Sequence, residues 1–341
     1  MPIRDLRKTF FCFVFIILVA GLSRAAETKI TQVSPKIYLL ENLGESGNVA
    51  FLVTDEGVLV VDSGDTPANG RTIVEKVRSV TAKPIRFVVL THYHGDHTWG
   101  LQSFPPETLI IAAENLPRNI KRDEEALKAA MEKLPLQIAE IRGALQKLGN
   151  EKSDSRAQEE EKLKSAEARL ALYRELRLVP PPILFTGKLI LRLGGESVEI
   201  VFPGPAHTDD NAWVHFPGQK VVHMGDMVFF KLHPYIDWQA GSNTANWIAQ
   251  LKIVENLPIE KVIPGHGVVA GQEALTEQAR YLTDLRAAVA AEIKKGATLE
   301  AIKKSLALGR YSDWGYEDMW PFAIEAVYHE MGGTRLKEPI S

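Results

Sequence analysis

Between Ile37 and Asp62 the apolar residues fall into short runs: Ile37-Tyr38-Leu39-Leu40, Val49-Ala50-Phe51-Leu52-Val53 and Val58-Leu59-Val60-Val61, broken by Gly44, Gly47 and Gly57. Runs of this length, rich in β-branched residues and bounded by glycine, predict strands. The spacing then changes. From Gly70 to Ser79, Ile73, Val74 and Val77 recur at helical intervals, before two further strand-like runs at Phe87-Val88-Val89-Leu90 and Thr108-Leu109-Ile110-Ile111. Strand, helix, strand is the grammar of an α/β fold.

A different pattern follows. Leu127, Met131, Leu134, Ile138, Ile141, Leu145 and Leu148 repeat at spacings of four and three, and Leu163, Ala166, Leu170, Tyr173 and Leu176 form a similar stripe. The two charged segments predict an antiparallel helical hairpin that turns near Gly149 to Ser155, with Pro135 expected to kink or break its first helix. As function, the hairpin reads as a lid or a partner-binding arm; as structure, it reads as an insertion that packs on itself. After Pro180-Pro181-Pro182 strand patterns return at Leu189–Leu193, Val198–Phe202, Ala212–Phe216 and Val221–Met224. A helix from Asn246 to Leu257 leads into the strand Lys261-Val262-Ile263. Leu275, Ala279, Leu282, Leu285, Val289 and Ile293 mark a long amphipathic helix, and Thr298 is an N-cap for a shorter one. Both halves run from strands into helix, which suits two similar layers facing each other.

The chemistry gathers where strands end. Thr91-His92-Tyr93-His94-Gly95-Asp96-His97 follows the Phe87–Leu90 run directly. Residues two apart on an extended segment point the same way, so His92 and His94 address one point, while Gly95 permits a turn that brings Asp96 and His97 back toward it. Tyr93 alternates with them and reads as structural. Imidazole and carboxylate together suit zinc or a related first-row metal. His207, Asp226 and His266 occupy similar strand-end turns. Seven ligand-type side chains exceed the four that one tetrahedral zinc takes, and point to two metals with a shared ligand and a bridging water. His215 and His223 read as sheet residues, and His329 as part of a solvated terminal helix. Trp99, Lys231, His233, Tyr235 and Trp238 are pocket candidates by their nearness to ligands in the chain. Ser63 lacks the glycine-flanked elbow of a serine nucleophile and reads as a turn residue.

Composition narrows the setting. The chain has 341 residues, 45% hydrophobic and 24% charged, with a formal net charge of −3. That balance, without a basic stripe, excludes a nucleic-acid surface. Arg4, Arg7 and Lys8 precede an apolar run from Phe10 to Ala20, and Ser23-Arg24-Ala25 places small residues before a cut after Ala25. The run is shorter than the ~20 residues of a spanning helix, so residues 1–25 read as a removable secretory signal that leaves no stable membrane anchor. Its loss removes Arg4, Arg7, Lys8 and Arg24 along with Asp5, a net +3, and takes the mature chain from −3 to about −6. The expected location is periplasmic or secreted. Cys12, the only cysteine, leaves with the signal, so the mature chain is expected to have neither a disulfide nor a thiolate ligand or nucleophile.

The Thr91–His97 motif, followed in order by His207, Asp226 and His266, and the strand end Val60-Val61-Asp62-Ser63-Gly64 together resemble the metallo-β-lactamase superfamily of metallohydrolases. The phrasing around His207, Asp226 and His266 is most similar to its exported, hydrolase- or cyclase-like branch. The resemblance implies a four-layer αβ/βα sandwich with the site at one edge. It implies that His92, His94 and His207 hold one metal, that Asp96, His97 and His266 hold the other, and that Asp226 bridges them, with Asp62 supporting from behind. The metals implied are two divalent ions, Zn2+ first, with Fe or Mn as alternatives. A large subclass of true β-lactamases has cysteine where this chain has Asp226, so the resemblance leans toward the broader hydrolases.

The expected function is therefore an exported binuclear hydrolase. It would use a metal-bridging hydroxide, oriented by Asp96, on a small ester, thioester, lactone or amide-type substrate. Alternatives are β-lactamase activity, an iron-dependent oxidoreductase on the same fold, and a non-catalytic exported binding protein using the hairpin for docking or self-association. The expected organisation is a signal peptide at 1–25 and a catalytic domain at 26–295 with the helical insertion at about 121–179. A C-terminal helical extension would follow at 296–341.

Overall fold

The computed structural model describes residues 27–149 and 153–332, so the expected signal segment lies outside the described residues. Two compact units divide the chain, residues 121–176 forming one and the flanking residues the other. No helix among the described residues is long and apolar enough to cross a membrane.

The larger unit contains two sheets. The first has seven strands in sequence order: β1 (Lys29–Gln32), β2 (Ile37–Glu41), β3 (Val49–Thr54), β4 (Gly57–Val61), β5 (Ile85–Val89), β6 (Leu109–Ala113) and β7 (Ile183–Phe185). It is antiparallel from β1 to β4 and parallel from β4 to β7. The second contains β8 (Lys188–Leu193), β9 (Glu196–Val201), β10 (Trp213–Phe216), β11 (Val221–His223) and β12 (Lys261–Ile263), ordered 12-11-10-9-8.

Why these runs are so uniformly apolar follows from the layers. Along β4, Leu59 and Val61 face a core shared with Val198, Ile200, Val214 and Ile263 of the second sheet. Val58 and Val60 face the opposite way, onto Ile73, Val74 and Val77 of α1 (Pro67–Val80). A strand covered on both faces has no polar side to present. The outer face of the second sheet carries a third core. It contains Trp247 and Leu251 of α5 (Thr244–Glu255), Leu275, Leu282 and Leu285 of α6 (Glu273–Lys294), and residues beyond them. Helices outside two facing sheets are the expected αβ/βα arrangement.

Two expectations need correction, and two strands carry no sequence signal. The stretch expected as a C-terminal extension is part of this third core: Ile302 of α7 (Leu299–Ser305), Tyr311, Trp314, and Ile324 and Val327 of α8 (Trp320–Glu330) are buried in it. The short strands β1 and β7 lack a sequence pattern that marks them. In the smaller unit, Pro135 does not break the first helix, which begins in the larger unit and runs unbroken over Leu116–Leu148. Pro135 lies on its exposed side while Leu134 and Ile138 are buried, so seam burial offsets the lost backbone hydrogen bond.

The two helices of the smaller unit will be called α3 (Leu116–Leu148) and α4 (Asp154–Glu175). The described residues on either side of the expected turn are Gly149, left-handed at φ +67°, and Ser153, whose side chain caps α4 by accepting from Arg156 N. Arg142 and Glu167 pair across the two helices at 2.6 Å.

Candidate metal centre

Every ligand-type side chain emerges where a strand has just ended. His92 and His94 follow β5, Asp226 follows β11, His266 follows β12, and His207 lies between β9 and β10. A one-turn helix, α2 (Gly95–Thr98), then folds Asp96 and His97 back toward the same place. The Thr98 hydroxyl fixes this turn, donating to the carbonyls of Tyr93 and His94 at 3.1 Å each. Three glycines let backbone close in. A Cβ on Gly47 would lie 2.2 Å from the His97 ring, one on Gly95 would lie 2.3 Å from the Trp99 indole, and one on Gly265 would lie 2.0 Å from Asp226 Oδ1. No side chain fits at such distances.

The side chains form two groups that share Asp226. In the first, His94 Nδ1 lies 2.9 Å from His92 Nε2 and 3.1 Å from His207 Nε2. Asp226 Oδ2 faces His207 Nε2 at 3.5 Å and His92 Nε2 at 3.6 Å. In the second, Asp96 Oδ2 lies 3.0 Å from His266 Nε2 and 3.1 Å from His97 Nε2, and Asp226 Oδ1 lies 3.1 Å from His97 Nε2. Asp226 thus turns one oxygen to each group.

The outward-facing nitrogens explain why the inner ones converge. His92 Nδ1 donates to Thr91 Oγ1 at 3.1 Å, whose own proton goes to Asp62 Oδ2 at 2.8 Å. His97 Nδ1 faces Asp62 Oδ2 at 2.7 Å, His94 Nε2 faces Asp237 Oδ2 at 3.1 Å, and His207 Nδ1 donates to the Tyr235 carbonyl at 2.9 Å. The Tyr316 hydroxyl lies 3.4 Å from His266 Nδ1. Holding a proton on the outer nitrogen leaves the inner lone pair free to bind. Among the described residues, Asp96 Oδ2, Asp226 Oδ1 and His97 Nε2 are buried without a hydrogen-bond partner, close to one another yet not aligned for bonding. Buried polar atoms are normally satisfied. A cation among them removes the anomaly, so this donor set fits divalent metal.

The protonation of the metal-free centre follows from burial and neighbours. Burial holds His207 down to about 3 and His92 well below the ordinary imidazole value. Burial also acts against charge on His97 and His266, but Asp96 and Asp226 outweigh it, raising His97 well above the ordinary value and His266 to about 9. For Asp96 and Asp226 burial pushes up, and the neighbouring imidazoles more than reverse it.

All seven ligand-type residues read from sequence are brought together. Asp62 stands behind His97 as expected, fully buried and in the left-handed conformation at φ +66°. Such backbone is uncommon outside glycine and points to a local demand. Its Oδ1 accepts from Thr91 N at 2.8 Å, which pins the turn that opens the motif. The pocket candidates separate. Tyr235 packs its ring 5.5 Å from that of His94. Trp99 lies against Gly95, Trp238 packs its ring 4.4 Å from that of His329, and Lys231 is exposed with its Nζ over the Phe230 ring. His233 is a correction: it is a buried core residue, bonded through Nδ1 to the Tyr281 hydroxyl at 3.0 Å and packed on Trp314 and Trp320. The loop it belongs to suggested a mouth, but the C-terminal helices cover it.

Two residues had no sequence signal. Asp237 holds His94 from 143 residues away, and Tyr316 reaches His266 across 50. Tyr93, read as structural, packs its ring 4.6 Å from that of His94 and donates its hydroxyl to Asp237 at 2.5 Å.

Comparison with known proteins agrees with this geometry. Residues 43–266 match the model of the metallo-beta-lactamase superfamily. A linear primary-alkylsulfatase from Pseudomonas sp. is 23% identical over 67% of this chain and 43% of its own. The alpha subunit of a 2,4-dinitroanisole O-demethylase from Nocardioides sp. is 22% identical over 62% and 50%, so the chain spans about half the length of these curated relatives. A type 2 metallo-beta-lactamase from Bacillus cereus is 22% identical over 72% of this chain and 79% of its own. Among solved structures, the sec-alkylsulfatase Pisa1 from Pseudomonas sp. superposes with a TM-score of 0.67 at 17% identity, covering 89% of this chain and 50% of that one. A metallo-beta-lactamase from Pontibacter korlensis superposes with a TM-score of 0.52 at 18% identity over 75% and 99%. With a family match across residues 43–266 and two groups of metal-ligand-type side chains at the strand ends, the chain belongs to the metallo-beta-lactamase superfamily.

Proposed function

We propose that the chain binds two divalent cations and hydrolyses an ester-type bond in a small molecule. One cation is held by His92, His94 and His207, and the other by Asp96, His97 and His266, with Asp226 shared. The observation that carries this reading is the tethering of all five imidazoles by their outer nitrogens, which aims their inner nitrogens at two points beside unpartnered oxygens of Asp96 and Asp226.

When bound, two such cations supply Lewis acidity and bring the pKa of a water from ~15.7 toward ~7. The chain's own residues do the rest. Asp226 keeps the two halves in register by giving each one oxygen. The Asp96 carboxylate orients the attacking water and takes its proton. Tyr235 walls the first half beside His94 and His207 and limits the entry of bulk water. No serine or cysteine nucleophile is needed.

A carboxylate rather than a thiolate at the shared position favours esters, thioesters and lactones over β-lactams. The alkylsulfatase relative adds sulfate esters to that group. Zinc is the first choice, since imidazole and carboxylate both suit it. Export belongs to the same proposal and rests on residues 1–25; sequencing the N-terminus of protein recovered outside the cytoplasm tests it, with Ala26 expected first.

The central test is metal analysis of purified protein followed by a metal-replete panel of carboxylic esters, thioesters, lactones, sulfate and phosphate esters and β-lactams. Two metals per chain are expected, with ester turnover lost on chelation and restored by Zn2+. Turnover that survives chelation sinks the proposal, and stoichiometric iron with oxygen consumption replaces it with the oxidoreductase reading.

A further inference from the structure

Two carboxylates outside the ligand groups perform matching tasks. Asp62 faces His97 and accepts from Thr91, while Asp237 faces His94 and accepts from Tyr93. Thr91 and Tyr93 flank His92 on the loop after β5. One stretch of four residues, Thr91 to His94, therefore supplies two ligands and the hydroxyls that clamp both outer carboxylates. Asp62 is expected from the family resemblance. Asp237 is not, since it lies 11 residues beyond Asp226 in the loop before a 3-10 turn at Trp238–Ala240.

The surroundings of Asp237 suit a fixed carboxylate. It is buried, and its Oδ1 accepts from Ala240 N at 2.9 Å while Oδ2 accepts from Tyr93 and faces His94 Nε2. Its backbone N donates to the His207 carbonyl at 3.3 Å. It thus touches two of the three histidines of the first group, one by side chain and one by backbone. His94 is also the one imidazole that presents Nδ1 inward, so its proton must sit on Nε2, the atom Asp237 faces.

We infer that Asp237, oriented by Tyr93, is the positioning carboxylate of the first half-site: it fixes the tautomer and ring orientation of His94 and thereby sets how tightly that half holds its cation. This rests on the two-metal reading above. A purely structural role is the competing account, because Asp237 also caps the 3-10 turn.

The test is equilibrium competition between the full-length protein and a chromophoric chelator for Zn2+, comparing wild type, Asp237→Asn, Tyr93→Phe and Asp62→Asn. Outer carboxylates on metal-bound histidine typically change affinity by about 10- to 100-fold. Asp237→Asn should weaken one equivalent by that factor and leave the other within about twofold. Tyr93→Phe should weaken the same equivalent by up to about tenfold, whereas Asp62→Asn, at a carboxylate that faces His97 directly and His92 only through Thr91, should weaken the other one more. Wild-type affinity for both equivalents in Asp237→Asn, or equal weakening of both, overturns the inference. If Asp237→Asn fails to fold, Tyr93→Phe decides alone, because it leaves the turn cap in place. Wild type that takes up no zinc overturns the two-metal reading itself, a result distinct from unaltered variants of a two-zinc protein.

Discussion

His92, His94 and His207 make one half of the centre from three imidazoles, whereas the other half sets Asp96 among His97 and His266. The ligand chemistry is similar, yet the metal-free halves hold protons in opposite ways. In the first, burial dominates, with His207 near 3 and His92 well below its ordinary value, so both present bare lone pairs at neutral pH. In the second, two carboxylates outweigh burial, so His97 and His266 keep protons where a cation would sit. An imidazole's readiness to bind metal is therefore decided by the charge beside it, and the two halves differ in what a cation must displace.

Removing the shared carboxylate breaks the comparison most completely. Asp226→Ala takes an oxygen from each half and is expected to lower metal content by about one equivalent per chain, with turnover falling alongside it. Elemental analysis with steady-state kinetics checks it. Two retained metals and a full rate would show that Asp226 bridges nothing.

Acidity separates the halves next. Below about 9 His266 is protonated, as is His97 at neutral pH, so filling the second half at pH 7 releases up to two protons. Each released proton makes apparent affinity fall about tenfold per unit drop in pH. Between pH 8 and 6 the second half should therefore weaken by up to about 100-fold per unit. The first half should weaken by no more than about tenfold per unit, through His94, which Asp237 raises against the effect of burial. Calorimetric titration in buffers of differing ionisation enthalpy counts the protons, and equal release from both sites would refute the contrast.

Gly47 offers a steric way to reach one half only. Its N donates to the Asp96 carbonyl at 3.2 Å, and its Cα faces the His97 ring so closely that a methyl group has no room. Gly47→Ala should displace His97 and weaken the second equivalent by up to about 100-fold, the range of a disturbed ligand orientation, while the first keeps its affinity. Chelator competition reads both values at once.

How much of this was legible in the sequence depends on the range of the interaction that carries it. Buried strands declare themselves because both faces are covered, as along β4, and β12 was readable over its full length, Lys261–Ile263. Edge strands β1 and β7 have four and three residues, too few for a period to show. The seven ligand-type residues were readable because each sits in a strand-end turn of unusual composition. Asp237 and Tyr316 were not, because nothing local to either differs from an ordinary loop, and their meaning lies in what folding sets beside them. The C-terminal helices were visible as amphipathic segments, but an apolar stripe does not say what it packs against, so their place in the core of α5 and α6 was lost.

The smallest effect concerns a carboxyl proton in the loop that carries His207. Asp210, three residues beyond His207, is fully buried, accepts from Thr208 Oγ1 at 2.6 Å through Oδ1, and has no partner for Oδ2 among the described residues. Burial raises its carboxyl to about 6, against 3.8 for the ordinary group. Because the folded value is the higher one, the stabilising contribution is complete below about 3.8 and is lost as pH rises through about 6. At pH 8 the metal-free protein then carries a buried charge that costs about 2 kcal/mol, two pKa units discounted for relaxation. Asp210→Asn keeps an acceptor for Thr208 and removes that charge. In urea denaturation of metal-free protein it should gain about 2 kcal/mol over wild type at pH 8 and nothing at pH 4. A gain independent of pH would place the titration elsewhere.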